Sequence, residues 1–118
     1  MKTFLFVFRK APHSGAYSQE FLDIILTTAA FDQPVSLLLL DDGVFQLKKN
    51  QHAKTGGYKD TAAIFNALEI YEVTTLFVEI ESMLERGLTS DDLFLPVQEV
   101  TRKEVAALMK RFDVIVAG

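Results

Sequence analysis

The chain has 118 residues, and its Lys+Arg 12 against Asp+Glu 16 give a formal charge of -4. That balance excludes a strongly basic nucleic-acid module, and Cys 0 excludes disulfides, thiolate metal centres and a catalytic thiol within this sequence. The length predicts one domain over 1–118, with roughly two thirds of its unfolded surface buried on folding. Hydrophobic residues make up 49% and the mean hydropathy is +0.19, a surplus that predicts a surface partly covered by other subunits. No apolar run reaches the roughly 18 residues that span a bilayer. Met1-Lys2-Thr3 leads directly into Phe4–Phe8 without a small-residue cleavage site. The expectation is a cytoplasmic chain whose N-terminus is its first strand, with no membrane partner.

In chain order, Phe4-Leu5-Phe6-Val7-Phe8 reads as a strand over 3–8. Phe21, Leu22, Ile25, Leu26 and Ala29 then recur at helical spacing and predict a helix over 18–31. A second apolar run predicts a strand over 35–40, and Asp42-Gly43 reads as the turn that ends it. The stretch from Leu47 to Lys59 is polar, glycine-bearing and too long for an ordinary connection, which suits a loop that is mobile or ordered by a partner. A helix over 60–69, a strand over 76–80 and a short helix from Ser82 to Arg86, stopped by Gly87, follow. A strand over 94–98 comes next. Thr101-Arg102-Lys103-Glu104 is a capping box that opens a helix over 102–111, and the last strand covers 113–117.

Continuously apolar strands suit burial on both faces of a parallel sheet. Their alternation with helices predicts an α/β fold: a single flavodoxin-like domain with a mostly parallel sheet of about five strands and helices on both faces.

Ligands on such sheets sit beyond the carboxyl ends of the strands, here Arg9 to Gly15, Asp41 to Phe45, Glu79 to Ser82 and Pro96 to Glu99. The segment Pro12, His13, Ser14 and Gly15 offers helix N-terminal amides to an anion or a partner, or is an ordinary strand-to-helix turn. It contains no nucleotide-binding glycine fingerprint. His13 and Ser14 with Asp41 or Asp42 supply the residue types of a hydrolytic triad, but no nucleophile elbow accompanies them. Asp41-Asp42 also reads as a carboxylate pair for a hard cation, although no third ligand is spaced to help, and no metal is expected. Lys48, Lys49, Lys54 and Lys59 form either a docking patch or a solvated lysine-rich loop. Glu79 and Glu81 flank Ile80, so strand alternation would turn both carboxylates to one cleft.

Phe4–Phe8, Ala11-Pro12-His13-Ser14-Gly15, Asp42-Gly43-Val44-Phe45-Gln46-Leu47 and Leu84-Glu85-Arg86-Gly87-Leu88, in that order and spacing, resemble the DsrE/DsrF-like family over essentially the whole chain. The resemblance implies a subunit of a TusBCD-type complex, a dimer of heterotrimers that relays persulfide sulfur for 2-thiolation of the tRNA wobble uridine. It implies TusB- and TusD-like sister subunits, and TusE- and TusA-like proteins reached through the complex. No cofactor and no direct nucleic-acid binding are implied. In the family, the persulfide-carrying cysteine belongs to the TusD/DsrE-type subunit and lies at the end of the third strand, shortly before the Arg-Gly pair. The matching position here is close to Glu79, and a carboxylate cannot replace a thiolate as sulfur acceptor. The expectation is therefore a non-catalytic scaffold subunit.

Val44, Phe45 and Leu47, apolar residues just beyond a strand-ending turn, are expected at a subunit interface, or else they cover the domain's own core. The competing class is a stand-alone ligand-binding or enzymatic domain that uses the Pro12–Gly15 loop and Glu79.

Overall fold

The computed structural model describes residues 2–10, 17–48, 68, 70–73, 75–93 and 95–117. The Pro12–Gly15 segment, the lysines at 49, 54 and 59, and all of the expected helix over 60–69 except Leu68 lie outside the described residues. The strands are β1 (Phe4–Phe8), β2 (Val35–Leu39), β3 (Thr75–Glu79), β4 (Gln98–Val100) and β5 (Val114–Ala117). The helices are α1 (Tyr17–Ala30), α2 (Ile80–Glu85) and α3 (Arg102–Met109). All neighbouring strands run parallel, and their order is β4-β3-β2-β1-β5.

The expected five-stranded parallel sheet with helices on both faces is present, and only its lateral order departs from the flavodoxin one, in which the first strand sits between the second and third and the fourth is interior. Here β1 lies between β2 and β5, and β4 is an edge. The reason is visible in β4 itself. Gln98 and Glu99 are exposed, and an interior parallel strand, covered on both faces, has no place for them. The strand also begins later than the expected 94–98. Leu93 is buried and Leu95 packs against the core ahead of it.

Strand order and crossover handedness together distribute the helices. From β1 to β4 the strands advance in one direction, so right-handed crossovers place their helices on one face. The step from β4 to β5 returns across the whole sheet and must place α3 on the other face. The two core clusters follow this division. Phe21, Leu22 and Ile25 of α1 and Met83 of α2 pack with Phe6, Phe8, Leu37, Leu39 and Val78. Leu108 of α3 packs with Leu5, Val7, Leu38 and Phe77. Phe21 meets Phe8 and Phe6 edge-on, with ring centroids 4.7 Å and 5.6 Å apart. Such aromatic pairs contribute about 0.5–1.5 kcal/mol beyond their buried area.

The expected Asp42-Gly43 turn is the start of a 3-10 helix over Asp41–Leu47. A Cβ on Gly43 would lie 2.1 Å from the Phe8 carbonyl oxygen, so glycine lets this helix rest on the end of β1. Val44 and Leu47 are fully buried in the first core cluster, while Phe45 is half-buried against it. The interface expectation for Val44 and Leu47 thus gives way to its alternative, the domain's own core. Gln46 Nε2 donates to the Lys10 carbonyl at 3.0 Å and ties the helix to the segment that follows β1. No helix among the described residues is long and apolar enough to cross a membrane.

Candidate functional site

The carboxyl ends of β1, β2 and β3, with the first turn of α3, surround an open hollow of about 400 Å³ lined by Arg9, Leu40, Asp41, Glu79, Arg102 and Met109, among others. Glu79 is the last residue of β3 and is buried. Its Oε1 accepts from Ser82 Oγ at 2.5 Å and from Arg102 Nε and Nη2 at 3.1 Å and 3.0 Å. Ser82 Oγ in turn accepts the Asp41 amide at 2.9 Å. Asp41 stands in the left-handed region, at φ 51°, and pairs with Arg9 at 3.3 Å. A non-glycine residue is strained there, and such strain persists where the surroundings over-determine it, here through Ser82 and Arg9.

Arg102 is the centre of the arrangement. The capping box positions it: both the amide and the hydroxyl of Thr101 donate to Glu104 Oε1 at 2.8 Å and fix the first turn of α3. The Arg102 amide, which has no partner within the helix, donates to Glu81 Oε1 at 2.8 Å. Its guanidinium reaches Glu85 with Nη2 at 3.0 Å and Nη1 at 3.3 Å, besides holding Glu79. These hydrogen bonds, with Glu85 first and Glu79 second, push the Arg102 guanidinium above its ordinary value, and the same Arg102 bond holds the Glu85 carboxyl below the usual range. Arg86 extends the network from Glu85 to Asp42, whose Oδ1 accepts from Nε at 2.9 Å. The side chains thus link the ends of β1, β2 and β3 to the start of α3.

The DsrE/DsrF-like family profile matches residues 2–117, nearly the full length of the sequence. The chain belongs to that family. It is 38% identical over 98% of its length to "Protein TusC homolog" of Pseudomonas aeruginosa, covering 97% of that protein. It is 44% identical to "Intracellular sulfur oxidation protein DsrF" of Allochromatium vinosum over 79% of this chain and 68% of the relative. "Protein TusC" of Shigella flexneri is 36% identical over 98% of both. Among solved structures, the ychN protein of E. coli superposes with a TM-score of 0.84 over all of both chains at 18% identity, a likeness of fold.

In this DsrE/DsrF-like chain, Glu79 and Glu81 do meet one partner, but not through strand alternation. The strand ends at Glu79 and α2 begins at Ile80, so it is Arg102 that gathers both carboxylates. The pair Asp41-Asp42 diverges, to Arg9 and to Arg86, and does not face one cation. Among the described residues no group of His, Asp and Glu is arranged to hold a metal ion. His13 and Ser14 lie outside the described residues. Sequence reasoning assigned Arg102 only to a capping box and missed it as the site's cation. A lone arginine at a helix start, far in sequence from Glu79, carries no signal until the topology brings β3 and α3 together. Ser82 was missed for the same reason.

Proposed function

We propose that this chain is the TusC-type subunit of a TusBCD-like sulfurtransferase complex, in which it takes no sulfur itself and serves assembly and positioning. The complex relays persulfide sulfur toward 2-thiolation of the tRNA wobble uridine. TusB- and TusD-like subunits are the direct partners, and TusE- and TusA-like proteins are reached through the assembled complex in the cytoplasm. The relatives named TusC and DsrF support this reading. One observation carries the non-carrier role: the residue at the end of β3, close to where the family resemblance expects the persulfide cysteine, is a carboxylate already held by Ser82 and Arg102. Forming a persulfide requires a thiolate sulfur, and the sequence contains none.

The geometry agrees with a structural task for Glu79. A buried carboxylate whose Oε1 accepts three hydrogen bonds is an anchor for α3 and for the Asp41 backbone. Its network fixes the relative positions of three strand ends. The test is co-expression with TusB- and TusD-like partners, followed by co-purification and sulfur transfer with and without this chain. Stable co-elution and transfer that depends on the chain support the reading. A soluble monomer that binds a small ligand saturably favours the stand-alone class instead.

A further inference from the structure

The Glu79 carboxylate is engaged unevenly. Ser82 Oγ, Arg102 Nε and Arg102 Nη2 all donate to Oε1, at 2.5 Å, 3.1 Å and 3.0 Å. Its second oxygen, Oε2, accepts no hydrogen bond among the described residues. The cause is Glu85, whose two oxygens take Arg102 Nη1 and Nη2 at 3.3 Å and 3.0 Å and so claim the fork that would otherwise span both oxygens of Glu79. A residue only 5% exposed thus keeps one oxygen open. Glu79 also lines the hollow of about 400 Å³ beyond β1, β2 and β3. A carboxylate oxygen offers about two lone pairs, and a buried acceptor left without a donor is unfavourable.

The surroundings select the kind of donor that Oε2 lacks. Arg9, Arg86 and Arg102 share the network with Asp41, Asp42, Glu79, Glu81 and Glu85, so the carboxylates outnumber the cations within it. That excess favours a cation over an anion. The start of α3 does not reverse the preference. Its Arg102 amide goes to Glu81 at 2.8 Å and its Glu104 amide to the Thr101 carbonyl at 2.9 Å, which leaves little there for an anion to accept from. The rest of the wall is aliphatic, formed by Leu40, Val105, Ala106 and Met109. A hydrated metal ion gains nothing from such a wall, whereas a hydrocarbon stem does.

We propose that this hollow binds a small aliphatic primary amine in its protonated form. The ammonium donates to Glu79 Oε2 in a charge-assisted hydrogen bond, and the hydrocarbon stem lies along Val105, Ala106 and Met109. An ammonium has three donors, and Asp41, which lines the same hollow, offers a second acceptor. The site is built entirely from this chain. It does not rest on the sulfur-relay reading, which is judged by co-elution and transfer. A chain that binds the amine and still co-elutes with its partners satisfies both.

Titration of the isotope-labelled full chain with butylammonium chloride at constant ionic strength, followed by amide NMR, tests it. Saturable shifts are expected at Ser82, Arg102 and Ala106, with a dissociation constant in the millimolar range that suits a ligand of so few atoms. Butyrate and butanol, with the same stem, are expected to bind roughly tenfold or more weakly, because the first is an anion and the second has no charged donor. Glu79→Gln is expected to lose a similar factor. Ala106→Trp, at an exposed position outside the hydrogen-bonded network, fills the hollow and must block binding even if Glu79→Gln fails to fold. The absence of saturable shifts up to about 50 mM amine overturns the proposal. So does equal binding of butyrate, or undiminished binding to folded Glu79→Gln or Ala106→Trp. Tighter binding by a lysine tripeptide than by butylammonium would assign the hollow to a protein side chain and overturn the choice of a free amine.

Discussion

The Glu79 carboxylate at the end of β3 is gripped by the Arg102 guanidinium at the start of α3, with Nη2 3.0 Å and Nε 3.1 Å from the same oxygen. The two residues are 23 apart in sequence and belong to elements that bracket β4. Glu79 is buried and Arg102 is half-exposed, so the pair closes the seam between the sheet and the single described helix on its second face.

Removing either partner leaves different consequences, which separates this pair from the others at the site. Arg102→Ala strands a buried carboxylate without its cation, an arrangement proteins tolerate poorly. Arg9→Ala breaks only the pair with Asp41, in which both side chains are about half in water, and exposed pairs contribute little. Urea denaturation is expected to show a clearly lower midpoint for Arg102→Ala and almost none of that loss for Arg9→Ala. Equal midpoints for the two variants would contradict the anchoring role of Glu79.

Gly43→Ala tests the seat of the Asp41–Leu47 helix. The added methyl would meet the Phe8 carbonyl oxygen at 2.1 Å, and backbone on both sides must move to admit it. A loss of about 1–3 kcal/mol is expected from overpacking of this kind, measured by the same denaturation. Gly87→Ala places no atom against a neighbour, and its cost arises from the positive φ of 70° alone. A Gly43→Ala protein as stable as the wild type would mean that the helix does not rest on β1.

The sequence carried the strands and most of the helices plainly, because buried parallel strands leave uninterrupted apolar runs such as Phe4–Phe8 and Val35–Leu39. The capping box at Thr101 was legible for a similar reason, as its two partners lie three residues apart. Lateral strand order was not legible from apolar content, although the polar Gln98-Glu99 pair held the clue that β4 is an edge. The candidate site was half legible. Glu79 was found through its place at a strand end, while Arg102 and Ser82 became part of the site only once β3, α2 and α3 were brought together. The sequence could not decide between a subunit interface and the domain's own core for Val44 and Leu47, because an Asp-Gly pair reads as a turn, whereas the chain continues into a 3-10 helix that turns both side chains to the core.

Among the described residues, three carboxylates bind their protons less readily in the fold than in the unfolded chain. Asp113 is held low by the Thr3 amide and hydroxyl, Glu104 by the Thr101 amide and hydroxyl, and Glu85 chiefly by the Arg102 guanidinium. The unfolded chain therefore binds more protons than the native one in the acid range. The stability these groups contribute is fully present above the ordinary carboxylate values near 4. It is lost as the pH falls through their lower folded values. Urea midpoints measured between about pH 6 and pH 2.5 should decline with acidity, and Asp113→Asn should flatten that decline while lowering the neutral plateau. A slope unchanged by Asp113→Asn would remove the Thr3 contact from the account.

Phe45 is the one residue of the expected Val44, Phe45 and Leu47 interface that retains exposed surface, and a role at a sister-subunit contact rests on it. Phe45→Ala is expected to leave the chain folded while weakening its binding to TusB- and TusD-like partners by about tenfold, or about 1.4 kcal/mol. Isothermal titration and the elution volume of the mixture report it. Unchanged affinity would place the contact elsewhere on the chain.

The central claim, that a cysteine-free subunit is required for a relay it cannot itself carry, is tested most directly by persulfide transfer through the reconstituted complex. Labelled sulfur is delivered by a TusA-like donor, and its transfer to a TusE-like acceptor is measured with and without this chain, with the label on each subunit read by mass spectrometry. Transfer is expected to fall at least tenfold when the chain is omitted, with no sulfur ever found on it. Transfer that proceeds at full rate without the chain would contradict the account.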